Sequence, residues 1–259
     1  MSECSLTQGV SSGRVNVGED VGPVRGTGPA WPGTDDEGAD VGLDGLEDKV
    51  FDAVLFDMDG TLVDSTAAVY RAWARWAVEH GVPEAQMRGH DGIPAASIVA
   101  KFLPESERAA GVLRINELEL SDTEGLMVLP GAAEALAALV DAPNAIATSC
   151  TLPLAKARIA GSGLAAPSVL VTADQVEHGK PAPDPYLLAA KRLGVDPTRC
   201  LVVEDAPLGL QAAKAAGCAT LAVVTTTARE KLFADAVVND LSEVRFEATP
   251  EGIRVRPAA

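Results

Sequence analysis

The chain lacks the features that mark several large classes of protein. Its four cysteines, at positions 4, 150, 200 and 218, form no C-x-x-C pair and have no zinc-binding spacing. No run approaches the roughly 18 apolar residues of a membrane-spanning helix. The N-terminus has acidic residues and glycines where a signal peptide needs a basic start and an apolar stretch. These absences predict free thiols in a cytoplasmic protein that is not bound to a membrane.

Positive charge and aromatic side chains are also scarce. The chain has 21 Lys and Arg against 37 Asp and Glu, which gives a formal net charge of −16. This charge does not favour nucleic acid or an anionic membrane surface as a partner. A small anionic substrate remains compatible, because a metal ion and a lysine reverse the sign of the charge inside a cleft. Aromatic residues make up only 4% of the chain, but the apolar fraction of 47% is ample for a core.

The composition changes near residue 49. Residues 1–48 are rich in Gly, Asp and Glu and show no sustained apolar period, which predicts a disordered tail. An apolar strand is predicted at about 52–57 and an amphipathic helix at 66–80, followed by helical segments to about 128. Beyond Pro130, short apolar strands alternate with helices. The predicted strands are Ala145–Thr148, Val169–Val171, Cys200–Val203, Ala219–Val223 and Ala236–Val238, and the predicted helices are 131–140, 153–161, 184–193 and 207–216.

This alternation predicts an α/β fold with a doubly wound parallel sheet covered by helices on both faces. The helical stretch between the first and second strands is too long for a simple crossover. It is therefore predicted to be a small α-helical cap inserted into the sheet domain. The predicted organisation is a tail at 1–48, a catalytic core at 49–65 and 130–259, and a cap at 66–129.

The most informative segment is Asp57-Met58-Asp59-Gly60-Thr61, which ends the first apolar run. Because side chains alternate along a strand, Asp57 and Asp59 point the same way. Two neighbouring carboxylates are costly unless a cation or a proton-transfer task compensates for their charges. An ordinary Asp-Gly turn is the alternative and less favoured interpretation. The chemical interpretation is a metal-assisted site with a carboxylate nucleophile and a neighbouring acid/base.

Three later segments carry polar residues at or near strand ends. Thr148 and Ser149 precede a predicted helix, where a hydroxyl suits a phosphate oxygen or, alternatively, a helix N-cap. Lys180 lies in a proline-rich loop that would hold its ammonium group in place. Glu204 and Asp205 form a second acidic pair after an apolar strand. Two acidic pairs at strand ends of one parallel sheet would make an oxygen-rich site for Mg²⁺.

In this order the four segments resemble the motifs of the haloacid dehalogenase superfamily, over roughly residues 50–240. Within that superfamily, Val171-Thr172-Ala173-Asp174 and Glu204-Asp205-Ala206-Pro207 are similar to one branch. That branch contains glycerol phosphatases, 2-deoxyglucose-6-phosphate phosphatases and other sugar phosphatases with a small helical cap. The resemblance implies a Mg²⁺-dependent phosphatase that acts on a small sugar, polyol or cyclitol monophosphate through an aspartyl-phosphate.

The resemblance also implies a role for each motif residue. Asp57 would be the nucleophile and Asp59 the acid/base. Four residues would bind Mg²⁺: Asp57, Asp59 through its carbonyl, Asp205, and Glu204 directly or through water. Four others would bind the phosphoryl group: Gly60, Thr148, Ser149 and Lys180. The expected partner is a small phosphorylated metabolite, with no nucleic acid and no membrane, and the expected state is a monomer or a weak homo-oligomer.

Departures from the branch leave alternatives open. Cys150 stands where the branch usually has glycine. The cap loop reads His90-Asp91-Gly92 where relatives commonly have His-Gly, so that either His90 or Asp91 would face the substrate. A sugar phosphomutase of the β-phosphoglucomutase type is the alternative function, although Gly60-Thr61 favours hydrolysis because mutase relatives commonly have Gly-Val. The tryptophans Trp73 and Trp76 are expected in the cap core rather than in a sugar pocket.

Overall fold

The fold was established from a computed structural model, which describes residues 42–43, 45–87 and 93–258. The described residues form ten β-strands: β1 (Ala53–Phe56), β2 (Val63–Asp64), β3 (Met127–Val128), β4 (Asn144–Ala147), β5 (Val169–Val171), β6 (Cys200–Glu204), β7 (Ala219–Val223), β8 (Ala236–Val238), β9 (Val244–Thr249) and β10 (Gly252–Pro257). They also form seven α-helices: α1 (Thr66–Glu79), α2 (Ala95–Phe102), α3 (Glu105–Ser121), α4 (Ala132–Ala138), α5 (Leu152–Ser162), α6 (Asp184–Leu193) and α7 (Pro207–Ala215).

Six strands form one parallel sheet in the order β5-β4-β1-β6-β7-β8. The chain starts at the central strand β1, builds outward through β4 and β5, and then returns to the other side of β1. The predicted doubly wound α/β sheet is therefore confirmed. In such a sheet, ligands bind at the carboxyl ends of the strands near the point where the strand order reverses, which here lies between β1 and its neighbours β4 and β6.

Both faces of the sheet are buried, which explains why its strands are apolar throughout. All residues of β1 and β6 are buried. Val54 and Phe56 pack into the hydrophobic cluster on one face, whereas Ala53 and Leu55 pack into the cluster on the other. This alternation follows from the two-residue repeat of a strand.

Helices α1, α2 and α3 occupy the segment predicted as a cap and enclose a hydrophobic cluster of their own. Trp76 is fully buried there, and its indole Nε1 donates a hydrogen bond of 2.9 Å to the carbonyl oxygen of Gly111. The chain enters and leaves this segment through β2 and β3, which pair antiparallel with Val63 opposite Val128. The two connections are thereby tied together at the edge of the central sheet domain.

Two features at the ends of the described chain differ from the sequence predictions. Leu43 and Leu46 are fully buried in the main core, so packing begins before residue 49, where the predicted tail ends. Of the predicted tail, the structure describes residues 42–43 and 45–48, and the other tail residues lie outside the described ranges. The antiparallel hairpin of β9 and β10 was not predicted, and it buries Phe246, Ile253 and Val255 in the same core.

No helix within the described ranges combines the length and the apolar character needed to cross a bilayer. Three of the four cysteines, Cys150, Cys200 and Cys218, are buried free thiols, whereas Cys4 lies outside the described residues.

Candidate active site

Three carboxylates meet at the carboxyl ends of β1 and β6. Asp57 follows β1, Glu204 ends β6, and Asp205 comes next. Because the two strands pair in parallel with Phe56 beside Val203, Asp57 lies next to Glu204. The Asp57 amide continues the sheet by donating to the Val203 carbonyl at 3.0 Å. Oxygen atoms of the three carboxyl groups lie within 4.8 Å of one another, and all three residues are buried.

Lys180 lies among these carboxylates. Its Nζ is 2.5 Å from Asp57 Oδ1 and 2.7 Å from Glu204 Oε1, and the side chain is buried. The Tyr186 hydroxyl donates a third hydrogen bond to this region, at 2.9 Å to Glu204 Oε1. Lys180 comes from the loop before α6 and Tyr186 from α6 itself. This helix therefore positions the two side chains that donate hydrogen bonds to Glu204.

Burial dominates the electrostatics of the cluster. It raises the pKa of Asp57 to about 7, against the opposing attraction of Lys180, and the charge of Glu204 adds to the increase. Burial and the same glutamate raise the pKa of Asp205 well above its ordinary value. Burial alone would lower the pKa of Lys180, but the neighbouring carboxylates raise it well above its usual value.

Three carboxylates and one ammonium group leave an excess of negative charge in a buried place. A divalent cation with a preference for oxygen ligands compensates for such an excess. The donor set and its span therefore fit a metal ion.

Glu204 and Asp205 are held by further hydrogen bonds. Glu204 Oε2 accepts from the backbone amides of Asp205 at 3.0 Å and Ala206 at 3.1 Å. Asp205 accepts from the hydroxyls of Thr61, at 3.3 Å, and Thr226. Thr226 was not singled out in the sequence, although the run of three threonines that begins two residues after the end of β7 was a usable signal.

Gly60 is required by the close approach of this cluster. It has a φ of +84°, a conformation that side chains with a Cβ rarely adopt. A Cβ atom at this position would also collide with the carboxylate of Asp205. The glycine thus lets the chain turn sharply after Asp59 while Asp205 packs against it.

Asp59 is held by Arg158, which lies outside the predicted motifs, and by Cys150. Its Oδ2 is 2.8 Å from a guanidinium nitrogen of Arg158 and accepts a hydrogen bond of 3.0 Å from the Cys150 thiol. Its Oδ1 is buried and has no hydrogen-bond partner among the described residues. Burial, and next the charge of Asp59, raise the pKa of Cys150 well above its ordinary value, so this cysteine is a neutral hydrogen-bond donor.

Thr148 and Ser149 follow the end of β4. The Thr148 hydroxyl oxygen accepts from the Cys150 amide at 3.1 Å, which leaves the hydroxyl proton available to a ligand. The alternative role as a helix N-cap does not apply to either residue, because the N-cap of α5 is Thr151. Ser149 is exposed.

These residues line a cavity of about 710 Å³ between the sheet edge and the cap. The structure brings together at it eight residues predicted from the sequence: Asp57, Asp59, Gly60, Thr148, Ser149, Lys180, Glu204 and Asp205. His90 and Asp91 lie outside the described residues. Trp73 lines the cavity as well as packing in the cap core, whereas Trp76 lies in the core.

The polar lining residues that were not anticipated include Asn116, Glu119 and Arg158. Their sequence neighbourhoods offered no signal, because each lies near other polar residues in an ordinary helix and belongs to no motif.

Comparisons with known proteins agree with this geometry. A model of the haloacid dehalogenase-like hydrolases matches residues 51–217. Hexitol phosphatase A of Escherichia coli (strain K12) is 43% identical over 205 residues, which cover 76% of this chain and 95% of that protein. Validoxylamine A 7'-phosphate phosphatase of Streptomyces hygroscopicus subsp. limoneus is 37% identical over 209 residues, covering 76% and 97%. The crystal structure of CbbY from Rhodobacter sphaeroides in complex with phosphate superposes with a TM-score of 0.66 at 26% identity, covering 74% and 96%.

Proposed function

The chain belongs to the haloacid dehalogenase-like hydrolase family, and we propose that it hydrolyses a monophosphate of a small sugar, polyol or cyclitol through an aspartyl-phosphate. The observation that carries this proposal is the set of three buried carboxylates around Lys180, with Asp59 two residues after Asp57. The two relatives named above are phosphatases, one of a hexitol phosphate and one of validoxylamine A 7'-phosphate. A cavity of about 710 Å³ suits a ligand of that size.

Asp57 is the proposed nucleophile. One of its oxygens is held by Lys180, so the carboxylate has a fixed orientation at the cavity wall. Attack on phosphorus forms the acyl phosphate on Asp57 and breaks the bond between phosphorus and the ester oxygen.

Asp59 is the proposed acid and base. Arg158 and Cys150 hold its Oδ2, and Oδ1 is left without a partner among the described residues. In the first step, a proton carried on this carboxyl group goes to the departing ester oxygen. In the second step, the carboxylate takes a proton from the water that attacks the acyl phosphate, which releases inorganic phosphate and restores both aspartates.

The phosphoryl oxygens are proposed to bind at Thr148, Lys180 and the backbone amides of Gly60 and Ser149. A hydroxyl, an ammonium group and two amides are donors fixed in advance at the place where negative charge develops in the transition state. Thr148 is suited to this role because its oxygen already accepts from Cys150.

Asp57, Asp205 and the Asp59 carbonyl are proposed to hold Mg²⁺, which when bound offsets the charge of the phosphoryl group. Glu204 is assigned to contact through water. Its two oxygens already accept hydrogen bonds from Lys180, Tyr186 and the amides of Asp205 and Ala206, so direct coordination would compete with these four bonds.

We also propose that residues 49–65 and 130–259 act as the catalytic core and 66–129 as the cap. In this division the core supplies the chemistry, and the cap supplies the surface that meets the leaving group. His90 and Asp91 remain predicted specificity residues.

Hydrolysis is favoured over phosphomutase activity. A mutase must hold a second phosphate, which requires cationic side chains that are free to bind it. Among the described residues that line the cavity, the cations are Lys180, which is assigned to the transferred phosphoryl group, and Arg158, whose single charge is already offset by Asp59 and Glu119.

The test is phosphate release from a panel of sugar, polyol and cyclitol monophosphates, with and without Mg²⁺. Turnover should require Mg²⁺ and stop in EDTA. Asp57→Asn should abolish turnover while the circular dichroism spectrum is preserved, because an amide is not a nucleophile. Full activity after exhaustive chelation would contradict the metal assignment, and multiple turnovers by Asp57→Asn would contradict the nucleophile.

A further inference from the structure

The cap helix α3 presents two polar residues to the catalytic cavity. Asn116 and Glu119 both line it and are spaced three residues apart, which places them on one face of the helix. The Asn116 amide makes no hydrogen bond to any described residue. The Glu119 side chain is only 12% exposed. The helix therefore directs an unpaired donor and acceptor, together with a nearly buried carboxylate, toward the space above Asp59.

Arg158 connects this face to the acid/base. One guanidinium nitrogen is 2.8 Å from Asp59 Oδ2, and another is 3.5 Å from Glu119 Oε2. The Arg158 side chain is 8% exposed and lies on α5 of the central sheet domain, so the contact runs from that domain to the cap. In the proposed mechanism Asp59 meets the ester oxygen of the substrate. Arg158 and Glu119 therefore border the space that receives the first carbons of the leaving group.

The chemistry of this wall suits hydroxyl groups. A carboxylate accepts hydrogen bonds, a guanidinium donates them, and an amide does both. A hydroxyl group donates one hydrogen bond and accepts others, so neighbouring hydroxyls on a carbon chain can satisfy all three side chains. Once water is expelled, an alkyl chain would leave the Asn116 amide without a partner and Glu119 with only its contact to Arg158, and buried polar groups with too few partners are costly.

Structural reinforcement is a weaker explanation for the same residues. Burial, opposed by the charge of Arg158, raises the pKa of Glu119 above its ordinary value. Keeping this carboxylate ionised at its buried position therefore costs free energy. An apolar pair of similar volume would join the cap to the core at least as well.

We propose that Asn116, Glu119 and Arg158 form a hydroxyl-binding subsite that selects monophosphates whose leaving group carries hydroxyls close to the ester. This inference rests on the proposed phosphatase function and adds to it the residues that distinguish a polyol from an alkyl chain. It assigns part of the substrate specificity to α3 and α5.

The experiment compares matched substrates: glycerol 1-phosphate with propyl phosphate, and a hexitol phosphate with its analogue deoxygenated beside the ester carbon. The measured quantity is the ratio of kcat/KM for the hydroxylated substrate to that for its deoxy partner. Glu119→Ala should lower this ratio by about 10–100-fold and Asn116→Ala by about 3–10-fold, the effects expected for charged and neutral hydrogen bonds. Glu119→Gln keeps the side-chain size and should lower the ratio by less.

Glu117→Ala is the matched control. Glu117 lies on the same helix, is 67% exposed and pairs with Arg114 rather than lining the cavity, so its removal should leave the ratio unchanged. Equal losses for hydroxylated and deoxy substrates in the Asn116 and Glu119 variants would overturn the subsite and show a structural role. A wild-type enzyme that hydrolyses none of these monophosphates would instead overturn the proposed function, and the subsite with it.

Discussion

The two oxygens of Asp59 have different environments. Oδ2 is held by a guanidinium group and a thiol, whereas Oδ1 is buried without a hydrogen-bond partner among the described residues. Such an arrangement fixes the orientation of the carboxyl group and leaves one oxygen free for the proposed proton exchange with the substrate. Because a general acid matters most when the leaving group is a strong base, the choice of substrate decides how clearly this role can be measured.

Replacing Asp59 with Asn should lower kcat for an unactivated alkyl or polyol phosphate by about 10²–10⁴-fold. The loss should be much smaller for p-nitrophenyl phosphate, whose leaving group needs little protonation. The comparison of the two substrates in one variant separates proton transfer from damage to the site. Similar losses for both would mean that Asp59 acts through structure or metal binding rather than as an acid.

The raised pKa of Asp57 predicts how pH affects the metal-free protein. Its ordinary value is 3.8 and its folded value about 7, so the folded state binds the proton more tightly. The contribution of Asp57 to stability is therefore complete below about pH 4 and is lost as the pH rises to about 7. Because Mg²⁺ needs the unprotonated carboxylate, the increase in Tm on adding Mg²⁺ should be larger at pH 8 than at pH 5.5.

Thermal unfolding with EDTA and with Mg²⁺, measured across this pH range, checks that expectation. Asp57→Asn is the control, because its amide does not titrate and the part of the pH dependence due to Asp57 should disappear. A Mg²⁺ effect of equal size at every pH would contradict the assignment of Asp57 as a ligand.

The residues that could be predicted belong to short motifs, most of them at a strand end, whereas Lys180 lies in the proline-rich loop before α6. Asp57 and Asp59 are recognisable because an apolar run stops at a pair of carboxylates. Arg158 and Glu119 could not be predicted, because their importance arises from contacts between distant parts of the chain. An arginine in an alanine-containing helix has the same local signature whether it faces solvent or an active site.

At the level of elements, the pattern of apolar residues along the chain was the main basis for predicting the helices and strands. The strands at 169–171, 219–223 and 236–238 and the helix at 184–193 have the predicted bounds. The strands were predictable because a buried strand is a short apolar run flanked by turn residues. The hairpin of β9 and β10 was missed, although the alternation of apolar and charged residues in Val244–Glu247 and Ile253–Arg256 was a usable signal for two half-buried strands.

The hairpin is nevertheless part of the core. Phe246 on β9 is 3% exposed and packs edge-to-face on Phe56, with ring centroids 5.8 Å apart. Phe246→Ala should therefore lower the free energy of unfolding by about 3–5 kcal/mol, measured by urea denaturation. Phe233→Ala is the matched control: this side chain is 75% exposed, and the change should stay within about 0.5 kcal/mol. Equal effects of the two substitutions would show that the hairpin does not support the core.

At the level of the described molecule, the cap and the sheet domain each have a hydrophobic cluster, and the catalytic cavity lies between them. The side chains that carry the proposed chemistry come from the sheet domain, whereas α3 contributes Asn116 and Glu119. This division explains why the reaction type could be predicted from the sequence motifs, whereas the proposed specificity residues on α3 could not.

The start of the packed chain gives a prediction for the whole molecule. Leu43 and Leu46 are fully buried in the main core, and the Glu47 carbonyl accepts a hydrogen bond of 2.7 Å from Arg256 on β10. Removal of residues 1–48 should therefore lower Tm by about 5–15 °C, since two buried leucines are lost and each kcal/mol is worth a few degrees in a domain of this size. Removal of residues 1–41 should change Tm little, because their composition offers no apolar face.

Both truncated proteins should keep the kcat/KM of the full chain at a temperature well below their Tm, because none of the described residues that line the cavity precedes Asp57. Leu43→Ala and Leu46→Ala in the full chain should each reproduce part of the stability loss, which separates the contribution of the two side chains from the effect of shortening the chain. An equal Tm for the two truncations would mean that residues 42–48 contribute nothing to the core despite their burial.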